Sequence, residues 1–361
     1  MDDIRTITSI NPAEYSLFVG MDAHKRRTNV VVLDRADVVC VKSFPSDPKG
    51  IVGYFRKHYG QRRIAFVYEA GPTGYGLYDE LVGSGQVCLV VAPSLVPRKP
   101  NERVRNNRLD AGKLATGLRG GTLKGIRVPS ERDRRLRHLV QLRNVYVQKC
   151  SNMKLRIKSL LLQEGIPFPG SESGSRWTKS AWEAMQTAPV YEKVRFKLNS
   201  LLSSITFFRA EAHKVTQEIG RYCESDADLA ESVRFLCSIP GIGPTVAAAL
   251  LARIGDWRQL KSPREIGSFL GLTPWEDSTG DDVHRGSITR LGHSRTRSML
   301  IESSWTAIRH DPELRAVYLR IYRRHPKHLA AKVAIVAVAR RLTARIYAVL
   351  TQRRLYEIRG N

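Results

Sequence analysis

A change of period near residue 125 restricts what this chain can fold into more than any other feature of its sequence. Ahead of it, YSLFVGMD, TNVVVLD and VVCVKSF follow one another from Tyr15 with only short turns between them. DPKGIVGYFRKHYG then has helical spacing, RRIAFVYEA is a short apolar run, GYGLYDELVGSG is again helical, and QVCLVVAP is again a run. Short apolar runs bounded by turn residues read as strands, and the amphipathic segments between them as helices. Three consecutive strands followed by alternating helices and strands predict a mixed sheet with helices packed on it.

That order is the one expected of an α/β ribonuclease-H-like domain, assigned here to residues 1–125. Beyond it the period becomes three and four. One stripe runs through Leu136, Leu139, Arg143, Tyr146, Cys150, Met153, Ile157 and Leu160, interrupted only by the arginine. A second runs from Val194 through Leu198, Leu201, Ile205, Phe208, Ala212, Val215 and Ile219 to Tyr222. With the Gly/Pro/Ser-rich GIPFPGSESGS between them, the stripes predict a helical coiled-coil arm over 126–226, paired either within one chain or between two chains. Residues 227–361 predict a mainly α domain. There LCSIPGIGPTVAAALLARIGD is a helix, a tight turn and a helix. WEDSTGDDVHRGSITRLGHSRTR is polar, basic and irregular, which predicts a functional loop.

The chain has 361 residues, with 59 Lys and Arg against 34 Asp and Glu, a formal net charge of +25. An excess of that size favours a polyanionic partner, most often nucleic acid. The first residues, MDDIRTITSINPAEYS, have neither the basic start nor the apolar core of a signal peptide, and no apolar run is long enough for a membrane span. A cytoplasmic protein with no membrane partner is expected. Cys40, Cys88, Cys150, Cys223 and Cys237 are scattered without a CxxC pair and read as reduced core residues. No GxxxxGK[ST] loop is present, so ATP-driven chemistry is not indicated.

Two acids end apolar strands. Asp22 closes the first run and Glu69 closes RRIAFVYEA; if those strands are neighbours, two carboxylates stand side by side at the sheet rim. Like charges so placed call for a divalent cation between them. In NNRLDAGKLATGL, Asn107 and Asp110 are three apart and share a helix face, which could complete an oxygen-only cage from Asp22, Glu69, Asn107 and Asp110. Oxygen ligands without His or Cys select Mg2+ or Mn2+, which suits in-line phosphoryl transfer. His24, beside Asp22, reads as a phosphate contact or turn cap in preference to a metal ligand.

GMDAHK, YEAGPTGYG and RVRNNRLDAGKLA resemble the acid-bearing motifs of the DEDD transposases, bacterial insertion-sequence recombinases with a Holliday-junction-resolvase-like catalytic domain. The last motif usually has two aspartates, KTDxxDAxKLA, where this chain has Asn107 and Asp110. An amide offers an oxygen but no charge, so Asn107 is expected to weaken metal binding or slow the chemistry. PGIGPTVAAALLARIGD, LGLTPWEDSTG and GSITRLGHSRTRSMLIESSW are similar to the family's second conserved domain. The resemblance implies a serine nucleophile at Ser278 in EDSTG, with Thr279 the alternative register, and catalytic roles for Asp22, Glu69, Asp110 and Ser278. It further implies a bacterial, nucleoid-associated protein, a dimer or tetramer, acting on donor and target DNA under the direction of an element-encoded structured RNA.

Basic residues flank both motifs. Arg98, Lys99, Arg103, Arg105, Arg108 and Lys113 surround the third acid motif, and Arg285, Arg290, His293, Arg295 and Arg297 crowd the serine segment. Gly241, Gly243 and Thr245 of PGIGPT could present backbone N–H groups to a phosphate, or form an ordinary helix–helix turn. The function that fits all of this is DNA cleavage and rejoining for transposition. Two other readings are a junction-type nuclease using water, and a nucleic-acid-binding protein impaired in catalysis by Asn107.

Overall fold

The computed structural model describes residues 7–96, 107–169, 176–279 and 282–358, the side chains of 107, 108 and 277–285 excepted. It divides into two compact units, Met1–Val128 and Pro129–Asn361.

The first unit carries the sheet. Strands β1 (Leu17–Ala23), β2 (Arg27–Leu33) and β3 (Val38–Pro45) form an antiparallel meander, and β4 (Ile64–Glu69) and β5 (Val87–Val91) add in parallel on the other side of β1, giving the order β3-β2-β1-β4-β5. This mixed five-strand sheet with helices on it is compatible with the expected ribonuclease-H-like domain. Alternation along each strand sorts side chains to two faces. Leu17, Val19 and Met21 join Phe66 and Tyr68 beneath Ile51, Val52 and Phe55 of α1 (Pro48–Tyr59) and Leu77 and Leu81 of α2 (Gly76–Gly83). Phe18, Ala65, Val67, Leu89 and Val91 face the other way, against Ala111, Leu114, Ala115 and Leu118 of α3 (Asn107–Arg119).

Helix α3 lies close because both surfaces are small where they meet. A Cβ built on Gly20 would stand 2.0 Å from the Ala111 carbonyl oxygen and 2.5 Å from the Ala115 nitrogen. Gly20→Ala is therefore expected to push α3 off the sheet and lower unfolding free energy by about 3 kcal/mol, the upper end of overpacking costs. Chemical unfolding checks it; a loss under about 1 kcal/mol would mean that α3 shifts freely.

In the second unit, α4 (Glu131–Gln163) and α6 (Arg195–Glu224) pack antiparallel within the chain. Leu136 and Val140 meet Val215, Ile219 and Cys223 at one end, while Ile157 and Leu160 meet Leu198 and Leu202 at the other, beside α5 (Lys179–Thr187). Ser130 caps α4 by accepting from the Asp133 amide. The first turns of α4 share a core with α7 (Ala227–Cys237), the alanine-rich α8 (Pro244–Ile254), α9 (Pro263–Phe269), α10 (Ser294–His310), α11 (Pro312–Tyr322) and α12 (Lys327–Gln352).

One expectation needs correction. The segment read as an irregular loop contains an antiparallel hairpin, β6 (Pro274–Thr279) and β7 (Asp282–Ile288). Its segments PWEDST and DVHRGSI are polar and do not alternate, and of β7 the last residue, Ile288, packs against the core of this unit. Trp275 lies across Gly286, whose added Cβ would stand 2.9 Å from the indole; an aromatic covering a cross-strand glycine is a common stabiliser of such ribbons. All five cysteines are free thiols.

Candidate active site

Asp22 sits on β1 one pleat beyond Gly20, on the face that α3 covers. The parallel pairing of Met21 with Tyr68 places it alongside Glu69, the last residue of β4, whose alternation puts it on that same face after Ala65 and Val67. Asp110 is in the first turn of α3, directly before Ala111, whose carbonyl passes over Gly20. Three carboxylates are thus carried by adjacent parallel strands and the helix that crosses them. The loop after Glu69 is held by the buried Tyr68, whose hydroxyl donates to the Gly74 carbonyl at 3.1 Å.

The electrostatics of Asp22 reflect this placement. Burial pushes its carboxyl above the ordinary aspartate range and the Asp110 charge pushes it further, while His24 opposes both. His24 Nε2 lies 2.8 Å from Asp22 Oδ2, and Lys113 Nζ lies 2.9 Å from Asp110 Oδ1. The expectation that His24 would contact phosphate or cap a turn is thereby modified: it partners the acid.

The expected metal cage is not preformed. Among the described residues no three His, Cys, Asp or Glu side chains are gathered closely enough to hold a metal ion. His24 hydrogen-bonds Asp22 and Lys113 pairs with Asp110 in its place, and the Asn107 side chain lies outside the described residues although its backbone begins α3. The donor set nevertheless fits a hard divalent cation. Among the described side chains it is carboxylate-only, it shares one face, and Asp22 is both partly desolvated and repelled by Asp110, two conditions that a cation relieves.

The serine segment is positioned by the hairpin. Ser278 pairs across it with Val283 and Thr279 with Asp282, next to the β6–β7 connection, while the side chains of Ser278, Thr279 and Arg285 lie outside the described residues. The strap after β7 is pinned: Arg297 Nη1 donates to the Leu270 carbonyl at 2.8 Å, and Cβ atoms built on Gly271 and Gly292 would collide with backbone carbonyls of Leu291 and Phe269. Arg290 adopts a left-handed φ of 56° there. His293 caps α10, its Nδ1 accepting from the Thr296 amide at 3.2 Å, and burial together with Arg253, Arg137 and Arg297 holds its pKa down.

Two family models match this chain. One, described as Transposase and specific to DEDD transposases of the IS110 kind, covers residues 19–166; the other, described as Transposase IS116/IS110/IS902 family, covers 233–319. The protein named "Putative transposase y4qE" of Sinorhizobium fredii is 30% identical over 93% of this chain and 82% of its own length. The transposase for insertion sequence element IS1111A of Coxiella burnetii is 25% identical over 77% of this chain and 75% of its own, and that for IS1533 of Leptospira borgpetersenii 23% over 80% and 84%.

The chain belongs to the IS110 family of insertion-sequence transposases. An insertion-sequence transposase acts on DNA, which accounts for the net charge of +25. The first matched region of this transposase contains Asp22, Glu69 and Asp110, and the second contains the β6–β7 hairpin and the start of α10. No helix among its described residues is long and apolar enough to cross a membrane. Of the basic residues expected to contact nucleic acid, Arg98, Lys99, Arg103 and Arg105 lie outside the described residues, as does the Arg108 side chain. Gly241 is occupied structurally: at φ 87° its added Cβ would stand 2.2 Å from the Ser303 carbonyl oxygen of α10. Gly243 has open space at that point and caps α8, with Thr245 in the first turn. Arg137, Arg143 and Arg253, which surround the start of α10, were not singled out by the sequence; the arginine breaking the α4 stripe was the available signal.

Proposed function

We propose that this IS110-family transposase cleaves and rejoins DNA with Asp22, Glu69 and Asp110 holding Mg2+ or Mn2+, Asn107 contributing an uncharged oxygen, and Ser278 as the nucleophile. The observation that carries this reading is the register of β1 with β4, which sets Asp22 beside Glu69 on the face that α3 covers with Asp110. When bound, a divalent cation neutralises charge on the phosphodiester oxygens during in-line displacement. The protein's own part is to present three acids on one rigid face, with Gly20 allowing α3 to seat Asp110, and to bring the Ser278 hydroxyl to the scissile phosphorus. Attack there forms a phosphoserine bond as the 3′ or 5′ oxygen of the cut strand leaves, and the reverse attack by a strand end restores the serine.

The reading extends to a homo-oligomer, dimer or tetramer, in which acids and serine meet, and to a structured RNA encoded by the element that selects donor and target. Arg285, Arg290, Arg295, Arg297 and Lys113 are its proposed phosphate contacts, joined by Arg98, Lys99, Arg103, Arg105 and Arg108. Sequencing the RNA and DNA that co-purify with the protein tests guide use: a recurrent structured RNA is expected, and DNA alone would remove the guide from the account.

Asn107 offers a separate test. Asn107→Asp adds a charge one turn before Asp110 and is expected to tighten Mn2+ binding roughly tenfold, the scale on which ligand charge tunes such sites. Strand transfer should rise with it. Equal Mn2+ affinity in the two proteins would place residue 107 outside the cation site.

A further inference from the structure

Arginines from three helices of the second unit converge near the start of α10. Arg137 and Arg143 project from α4, Arg253 from the last turn of α8, and Arg295 and Arg297 from the first turn of α10. All five are half-buried, unlike Arg156 further along α4, which is exposed. Arg137 reaches from α4 to the carbonyl of Ala252, the residue before Arg253. Arg253, Arg137 and Arg297 all act on His293, and Arg295 acts on Arg143, whose guanidinium is further disfavoured by burial.

Other half-buried arginines of this unit face acids: Arg132 pairs with Asp226 and Asp228, and Arg345 with Glu313. In the cluster, Arg137, Arg143 and Arg297 donate to neutral acceptors. Arg137 Nε reaches the Ala252 carbonyl at 3.0 Å, Arg143 Nε the Thr216 Oγ1 at 2.9 Å, and Arg297 Nη1 the Leu270 carbonyl at 2.8 Å. Such bonds aim a guanidinium without cancelling its charge. Arg295 Nε is shut off from solvent with no hydrogen-bond partner among the described residues. Partly desolvated like charges are costly until an anion joins them, and the guanidinium fork matches two oxygens of a phosphate. Arg143 occupies a position of the α4 stripe where an apolar residue would pack better, so the fold gives up burial there to keep the charge.

We propose that Arg137, Arg143, Arg295 and Arg297 form one site that takes a phosphodiester of a nucleic-acid backbone, so that the base of α4 belongs to the nucleic-acid surface together with the start of α10. This rests on the reading that the chain grips nucleic acid through its basic residues, and it adds α4 to that surface. The phosphate belongs either to DNA or to RNA, whose backbone chemistry is shared.

The test uses the full-length protein with chelator present, so that binding is read apart from catalysis. Fluorescence anisotropy compares wild type, the double variant Arg143→Gln/Arg295→Gln and an exposed-face control, Arg156→Gln/Arg209→Gln, on a duplex DNA and a hairpin RNA of matched length over a salt series. The first double variant is expected to lose about tenfold in affinity and to flatten the dependence of log Kd on log salt by about one unit, with the control within about threefold of wild type. Its melting temperature should hold or rise, because repulsion is relieved. Loss on DNA only assigns the site to DNA, loss on RNA only to RNA, and loss on both to either backbone. If the glutamine variant melts lower, Arg143→Lys/Arg295→Lys decides, since it keeps the charge and removes the fork: affinity falls several-fold at unchanged salt slope if a phosphate is held, and stays at the wild-type value if the arginines only pack. Wild-type affinity and slope in the glutamine variant would overturn the site alone, whereas a wild-type protein that binds neither probe would overturn the nucleic-acid reading with it.

Discussion

Asp22→Asn is expected to slow DNA cleavage and rejoining roughly a thousandfold, the scale on which removal of one charge-stabilising group slows a reaction, with nucleic-acid affinity kept within about threefold because the phosphate contacts are arginines and lysines elsewhere. Stability separates a functional role from a structural one. Burial and Asp110 raise the Asp22 pKa in the folded chain, so the native state holds that proton more tightly than the unfolded state does. The metal-free protein therefore loses stability as pH rises from the ordinary aspartate value through the raised one, and the Asp22→Asn substitution removes that loss. Above that window the variant should melt at or above the wild-type temperature while being inactive. An inactive variant that also melts well below wild type would make Asp22 a structural residue, tied to the fold through His24.

Ser278→Ala is expected to abolish covalent capture of nicked DNA, with no adduct on denaturing gels, while Thr279→Ala retains it. The two residues pair with Val283 and Asp282 across the hairpin, so one replacement at a time leaves the strand pairing in place. The opposite result, an adduct lost only with Thr279, shifts the nucleophile by one residue. An adduct absent from wild type, with cleavage surviving in Ser278→Ala, leaves water as the nucleophile and the protein as a junction-type nuclease.

The first unit was legible because its signals are local. Each strand is a compact apolar run, and Asp22 and Glu69 were marked by being the first acids after such runs. Their adjacency needed only parallel pairing of two strands, which β1 and β4 supply. What the sequence withheld was the partnering of those acids: nothing in the spacing of His24 or Lys113 tells that their side chains contact Asp22 and Asp110 in the metal-free chain. Helices α4 and α6 were legible as stripes but not in how they pair, since the same period serves an intrachain and an interchain contact; the joint burial of Leu136 with Ile219 and of Ile157 with Leu198 gives the intrachain pairing. The β6–β7 hairpin was hidden because PWEDST and DVHRGSI are polar and do not alternate; the Trp275–Gly286 contact marks it in the structure.

The arginine of the α4 stripe shows the opposite case, in which a violated pattern carried information. A helix that packs through an apolar seam keeps an arginine there only at a cost in packing. Arg143 faces Thr216 on α6 and lies in the field of Arg295 on α10, which gives the exception a location and a charge environment.

The central claim is that the β1, β4 and α3 carboxylates act as one cation site. Electron paramagnetic resonance of Mn2+ titrated into the full-length protein tests it most directly, because free and bound Mn2+ are counted without reference to catalysis. Saturable binding is expected in wild type, lost in both Asp22→Asn and Glu69→Gln and retained in Ser278→Ala. Equal binding in wild type and the two acid variants would contradict the claim, as would wild type that binds no Mn2+ at all.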